Sequence, residues 1–424
     1  MTVEQESACP GRADFDPFSP THLASPLAVV ESLRDTPIFY APSIDYYVVT
    51  RYADIEAIFL DEQTYSAAPT QAPLVKIVSE ATQILLGGGH KPQPTMVSLD
   101  PPEHTRLRSP TARAFTPRRV AQMEPRIRAV VEQLLAGIDP FAPFELVSTF
   151  TFPLPATVIF SFLGIAERDW PQLKQWCGHR AGLLFGRPTP EEQIHHAENM
   201  AAYRSYLRDF VAIKAKARDD DLTSALLAIH DEDPQALTHE EIGSILYSLT
   251  FAGHETTNYL IGNLVHQLLK DPARWDAVAD DPSLIPGAVN ETLRYDTSVP
   301  VWRRVTKRPV TLGGVSLPAG AKLFLWLAAS GRDASVFPEP ETFDLRRPNA
   351  TKALAFGKGI HYCLGAALGK LEAQIALEGL ANRFPRLRLV EGKDTSFPSN
   401  MCFRGPQALW VHGTRGPGAG ASTE

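Results

Sequence analysis

The chain has 424 residues, 44% hydrophobic and 21% charged, an ordinary globular balance with ample material for a large core. Its net charge of -7 disfavours nucleic acid as a partner. Four scattered cysteines (Cys9, Cys177, Cys363, Cys402) lack metal-ligand spacing, which argues against a zinc site or disulfide framework and suits a reducing cytoplasm. Met1 to Arg12 lacks the apolar centre of a signal peptide, and no run approaches a membrane span. With no linker between Pro17 and Val411, one large domain over 17–411 is expected, as a monomer with no membrane partner. A flexible stretch 1–16 and a Gly/Ala/Ser/Pro-rich disordered tail 412–424, which could be a truncated inter-domain linker, flank it.

From the N-terminus, residues 28–34 read as a short helix, and 38–40 and 46–50 as a hairpin rich in aromatic and β-branched residues. Residues 53–60 are helical again. The stretch 65–98 carries Pro, Thr and Gly87 to Gly89, and a long irregular segment in a compact domain is usually functional or disordered. Asp100 caps a following helix with Pro101 at its first position, and His104 and Arg108, four apart, share one face. Residues 119 to 230 read as amphipathic helices broken at Pro140, Pro153, Pro171 and Pro188 to Pro190.

Thr238 and Glu241 then form a capping box opening a helix to about Lys270, ended by Asp271-Pro272. Some 32 residues at ~1.5 Å each give roughly 48 Å, enough to cross the domain. At its middle lies Ala252-Gly253-His254-Glu255-Thr256-Thr257, a locally unfavourable helical sequence of the kind found at functional sites. The Thr256 hydroxyl is placed to bond the Ala252 carbonyl and open the helix slightly. A zinc-protease pattern is excluded, because position 258 is Asn258 rather than a second histidine.

Residues 283–295 form a helix with Glu291 and Arg294 three apart, followed by strand patterns at 310–312, 315–317 and 322–327. The loop from Phe356 to Gly365 ends in Cys363, which opens a small-residue helix from Leu364 to about Arg383. Dipoles and N–H donors at a helix N-terminus favour thiolate over thiol. Gly357, Gly359 and Gly365 remove Cβ atoms where something flat must approach the backbone.

Phe356, Gly359, Cys363 and Gly365 match the haem-binding loop of the cytochrome P450 family, and the resemblance covers roughly residues 17–411. It implies a mainly α fold with small β-sheets, with a long central helix over a haem that a proximal cysteine loop holds. It implies monooxygenation, with haem b held by the Cys363 thiolate, dioxygen as oxidant and NAD(P)H as indirect electron source. The metal ligand is Cys363, and the cofactor-binding set is His104, Arg108, Arg303, Phe356, Gly357, His361, Cys363 and Gly365. Arg304 stays a rival to Arg303, since strand alternation turns the two to opposite faces. Thr256 and Glu255 match the family's acid–alcohol pair, which handles dioxygen and delivers protons. Glu291, Arg294 and Arg347 are expected to form a buried network, with Arg346 the rival third member.

A small hydrophobic substrate is expected against Ala252, Gly253, Val299, Val301 and Met401. Peroxide-driven peroxygenation and non-catalytic haem binding are the alternatives, though neither needs an acid–alcohol pair. Electrons must come from elsewhere, because the chain has no cluster motif or dinucleotide fingerprint. The source is either a separate ferredoxin and reductase or a fused FMN and [2Fe–2S] reductase module. Arg106, Arg113, Arg118, Arg119 and Lys358 could dock such a partner.

Overall fold

A computed structural model of the chain describes residues 9–24, 26–33, 36–87 and 94–414. The β-branched and aromatic runs build a five-stranded sheet from β1 (Ile38–Ala41), β2 (Tyr46–Val49), β3 (Tyr65–Ser66), β4 (Val301–Thr306) and β5 (Lys322–Trp326). Its order is β1-β2-β5-β4-β3, with β2 and β5 parallel and β4 antiparallel to β5. Residues Val310–Leu312 and Val315–Leu317 pair separately, and Phe144–Glu145, Trp410–Gly413 and Leu387–Leu389 form a three-stranded sheet.

The helical bulk is arranged by its breakers. The region 65–98, expected to be irregular, carries the two-turn α1 (Ser79–Leu86). After it, α2 (Glu103–Ala114) holds His104 and Arg108. Prolines at their first turns start α3 (Trp170–Phe185) and α4 (Pro190–Lys214), separated by a four-residue break at 186–189. The central helix is α5 (His239–Leu269), opened by the reciprocal Thr238–Glu241 capping box. Every residue from Leu260 to Leu269 is buried, so the C-terminal third of α5 is enclosed on all sides. Then come α6 (Ile285–Tyr295) and α7 (Ala366–Arg383), the latter packed against α5.

Three boundary expectations are corrected. Phe15, assigned to the loose N-terminus, is 3% exposed and packs edge-on to Phe39, Phe324 and Trp326, because an aromatic ring removes much apolar area from water. The last strand continues through His412 and Gly413, residues assigned to the tail. Asp100 caps no helix; its carboxylate takes the Ala67 N–H (2.9 Å) and pairs with Lys307 (3.0 Å). Residues 1–8 and 415–424 lie outside the described residues.

One polar knot ties α6 to the segment leading into the cysteine loop. The fully buried Glu291 carboxylate receives Arg294 Nε and Nη2 (2.8 and 2.6 Å), Arg347 Nε (3.1 Å) and the Asp344 N–H (2.9 Å). Arg294 also donates to Gly331, Pro340 and Thr342 carbonyls, so every charge inside is hydrogen-bonded. Arg346 instead pairs with Asp281 at the surface. Removing one partner of such a buried pair costs about 3–5 kcal/mol, whereas a surface change stays within about 0.5 kcal/mol. Arg347→Ala should therefore lower the thermal unfolding temperature by several degrees while Arg346→Ala leaves it nearly unchanged. Equal effects in a melting experiment would contradict this.

Candidate active site

Between α5, α7, β4 and the 356–365 loop lies a cavity enclosing about 1560 Å³ of empty space out to its mouth. Helical periodicity decides which α5 side chains reach it: Ser248, Ala252, Thr256 and Leu260 repeat at four, with Leu249, Gly253 and Thr257 beside them. Gly253 also lies close to Ile159, whose Cγ1 would be 2.6 Å from an added Cβ. The Thr256 hydroxyl donates to the Ala252 carbonyl at 2.7 Å, as its spacing predicts.

Glu255 faces away from the cavity wall and is buried, sharing a hydrogen bond with the Tyr259 hydroxyl. Burial pushes its carboxyl pKa up to about 7, against the lowering from Tyr259. His254 lies fully buried among Phe152 and Phe160, and burial takes its pKa down to about 3, so it is a neutral core residue.

Opposite α5 stands the cysteine loop. The Cys363 N–H donates to the Phe356 carbonyl at 3.0 Å, folding the loop on itself ahead of α7. The helix begins at Ala366, so Cys363 sits just outside it rather than opening it. Burial raises the thiol pKa, against the Gly365 N–H and the nearby Arg108, which lower it. A bound metal ion would deprotonate the thiol outright.

Two of the glycines have different reasons for being there. Gly359 has φ 67°, and a Cβ there would stand 2.4 Å from the Phe59 carbonyl oxygen, so backbone geometry demands it. A Cβ on Gly365 would meet no protein atom within 4 Å, which leaves clear space on the cavity side.

The charged residues converge on one edge. His104, Arg108, Arg304 and His361 all line the cavity, with the two imidazole rings 4.2 Å apart. Both ring nitrogens of His104 and Nε2 of His361 are buried without hydrogen-bond partners. Arg108 donates to the Tyr362 carbonyl. Burial, then Arg304 and His104, hold His361 near a pKa of about 3, and burial lowers Arg304 to about 10.

Arg304 takes the place expected of Arg303. Along β4, Trp302 and Arg304 face the cavity, and alternation turns Arg303 and Val301 away. Arg303 instead donates to the Ala72 and Thr70 carbonyls, both at 2.7 Å. Of the expected pocket wall, Ala252, Gly253 and Val299 line the cavity, whereas Val301 and Met401 are buried elsewhere. Phe403, two residues past Met401, lines it in its place.

Gln71 comes from the 65–98 segment expected to be functional, whereas Phe185 and Glu372 were not foreseen. Glu372 is 1% exposed, with Oε2 unbonded, and burial holds its carboxyl well above the usual range. The 365/368/369/372 spacing along α7 places it on the face of Gly365, a signal periodicity could have given.

Together these features fit a flat, iron-bearing macrocycle with two carboxylates. A thiol stands on one wall, a small-residue surface gives close approach, and a basic edge carries ring nitrogens with no hydrogen-bond partner among the described residues.

The comparisons with known proteins agree. The sequence model of the family described as Cytochrome P450 matches residues 33–403. The chain is 36% identical over 390 residues to the "Vitamin D(3) 25-hydroxylase" of Pseudonocardia autotrophica, covering 91% of this chain and 92% of that protein. Among solved structures, cytochrome P450 CREJ in complex with (4-ethylphenyl) dihydrogen phosphate superposes with a TM-score of 0.90 at 38% identity, covering 95% of this chain and all of that one (100%). An intact type IV self-sufficient cytochrome P450 monooxygenase gives a TM-score of 0.90 at 32% identity over 97% of this chain, but only 53% of its own. With matches of this extent across the whole cavity-bearing fold, the chain belongs to the cytochrome P450 family of haem-thiolate monooxygenases.

Proposed function

We propose that this chain inserts one oxygen atom into a small, largely hydrophobic substrate held between α5 and the haem, through hydroxylation, epoxidation or heteroatom dealkylation. The observation that carries this is the Thr256 hydroxyl, bonded to the Ala252 carbonyl on the wall facing Cys363 across an otherwise mostly apolar cavity. In this family, haem b with a cysteine thiolate supplies reductive activation of dioxygen and delivery of its oxygen atom, using electrons from a reductase.

In this chain Cys363 is the thiolate ligand, and His104, Arg108, Arg304 and His361 hold the two haem carboxylates. Phe356, Gly357 and Gly365 form the surface beneath. Thr256 presents its hydroxyl oxygen to the cavity. Glu255, with a pKa near the working pH, supplies it with protons. A peroxygenase or a haem sensor would have no need of an acid–alcohol pair.

Electrons come from a separate redox partner or from a fused reductase carrying FMN and a [2Fe–2S] centre; the self-sufficient relative supports the second arrangement. Of the five expected docking cations, Arg106, Arg119 and Lys358 are engaged with Glu241, Asp220 and Glu56. Arg113 and Arg118 are exposed, with no carboxylate partner among the described residues, and are the better docking candidates. No helix among the described residues is long and apolar enough to cross a membrane.

Four experiments test this assignment. Thr256→Ala should divert oxygen consumption from product to peroxide; full coupling in the variant would remove Thr256 from the mechanism. Product formed per dioxygen should fall as pH rises through about 7, where Glu255 loses its proton. Glu255→Gln should flatten that profile and slow turnover by about 10²-fold. The raised pKa also favours folding below the ordinary value of 4.5, a contribution lost as pH climbs through about 7, and Glu255→Gln should abolish that dependence. Finally, Arg304→Leu should shed haem to an acceptor protein faster than Arg303→Leu; the reverse order would restore Arg303 as the cofactor residue.

A further inference from the structure

Behind the cavity wall on the side of α3 lies positive charge with no carboxylate partner among the described residues. Arg180 is fully buried; Nη1 donates to the Tyr247 carbonyl, Nη2 to Gln71 Oε1 (2.9 Å), and Nε has no partner. Its guanidinium lies 3.9 Å from the Tyr247 ring centroid and 4.8 Å from that of Phe251. Arg303, also fully buried, holds the Thr70 and Ala72 carbonyls either side of Gln71, with Nε unbonded. Arg204 on α4 donates to the Leu85 carbonyl. Among the described residues none of these three arginines has a carboxylate within 4.0 Å. The Tyr247 hydroxyl is likewise buried and unpartnered.

Buried guanidinium groups are normally paired, because an uncompensated charge in a low-dielectric interior is costly. Here carbonyls, ring faces and one amide serve instead. Gln71 separates Arg180 from the cavity and lines it, and its Oε1 also accepts from Thr95 Oγ1 at 2.8 Å. That neutral oxygen stands where an anionic oxygen would bind better. The carboxylates of the haem are served separately by His104, Arg108, Arg304 and His361.

We propose that the substrate carries an anionic oxygen group, a phosphate ester or a carboxylate, which displaces the Gln71 side chain and is recognised by Arg180. This rests on the reading of the cavity as a monooxygenase site. The hydrophobic remainder of the substrate would then lie along Phe251 and Ala252 toward Thr256, with the anion fixing which carbon faces the haem.

The test titrates the haem-loaded chain with a 4-alkylphenyl phosphate, the matching 4-alkylbenzoate and the neutral 4-alkylanisole, by calorimetry and by the substrate-induced shift of the haem spectrum. At least one anion should bind about 10- to 100-fold more tightly than the neutral compound, and the two anionic arms identify which group is preferred. Arg180→Gln should erase that advantage while leaving the neutral compound's affinity unchanged, which a purely structural arginine would not do. Gln71→Ala, which frees Arg180 and keeps the buried cation in place, should retain the preference even if Arg180→Gln fails to fold. Equal wild-type affinity for anionic and neutral compounds, with the spectrum shifting for both, would overturn the anion inference and leave the monooxygenase reading standing. Calorimetric preference for an anion without any spectral shift would keep the anion site and overturn its placement over the haem.

Discussion

The gap between α5 and the cysteine loop is set where α5 and α7 touch, and it controls the rest of the molecule. Gly369 lies against Thr257: a Cβ on the glycine would stand 3.5 Å from the threonine Oγ1. Small residues let the helices approach there, while the Cys363 loop and the Ala252–Thr256 wall diverge to leave the cavity. Because protein interiors do not deform continuously, a separation of this kind must be braced from outside. The braces are the enclosed C-terminal third of α5 and the Glu291–Arg294–Arg347 knot, which fixes the chain leading toward the loop.

Across that gap the electrostatics are one-sided. Burial lowers the pKa of His104, His361 and Arg304 and raises that of Cys363, so each group is pushed toward its neutral form. An iron porphyrin with two carboxylates would reverse each of these pressures, giving the thiol a metal and the cations an anion. Anything that binds the folded state alone stabilises it, so haem occupancy and stability should rise together. Arg180 and Arg303 are likewise buried with an unbonded Nε and no carboxylate partner among the described residues.

Much of this was legible in the sequence because it depends on local rules. The capping box opens α5 at Thr238, and the Thr256–Ala252 hydrogen bond follows from a spacing of four. The Glu291–Arg294 pair likewise follows from a spacing of three. What escaped depends on three-dimensional direction. Arg303 and Arg304 differ only in which face of β4 they occupy, and fixing that requires the register with Phe324 and Leu323 in β5. The same alternation removes Val301 from the cavity. The need for Gly359 comes from Phe59, distant in sequence, and Phe15 looks like part of a loose terminus until the sheet it covers is in place.

The central claim is that Cys363 holds the haem iron as a thiolate facing Thr256. The ferrous–carbon monoxide difference spectrum of the wild-type chain and of Cys363→Ser tests it most directly. The account predicts the red-shifted Soret band of a thiolate-ligated carbonyl in the wild type and its loss in the variant. A wild-type band typical of histidine or neutral thiol ligation, no haem at all, or an unchanged spectrum in the variant would contradict it.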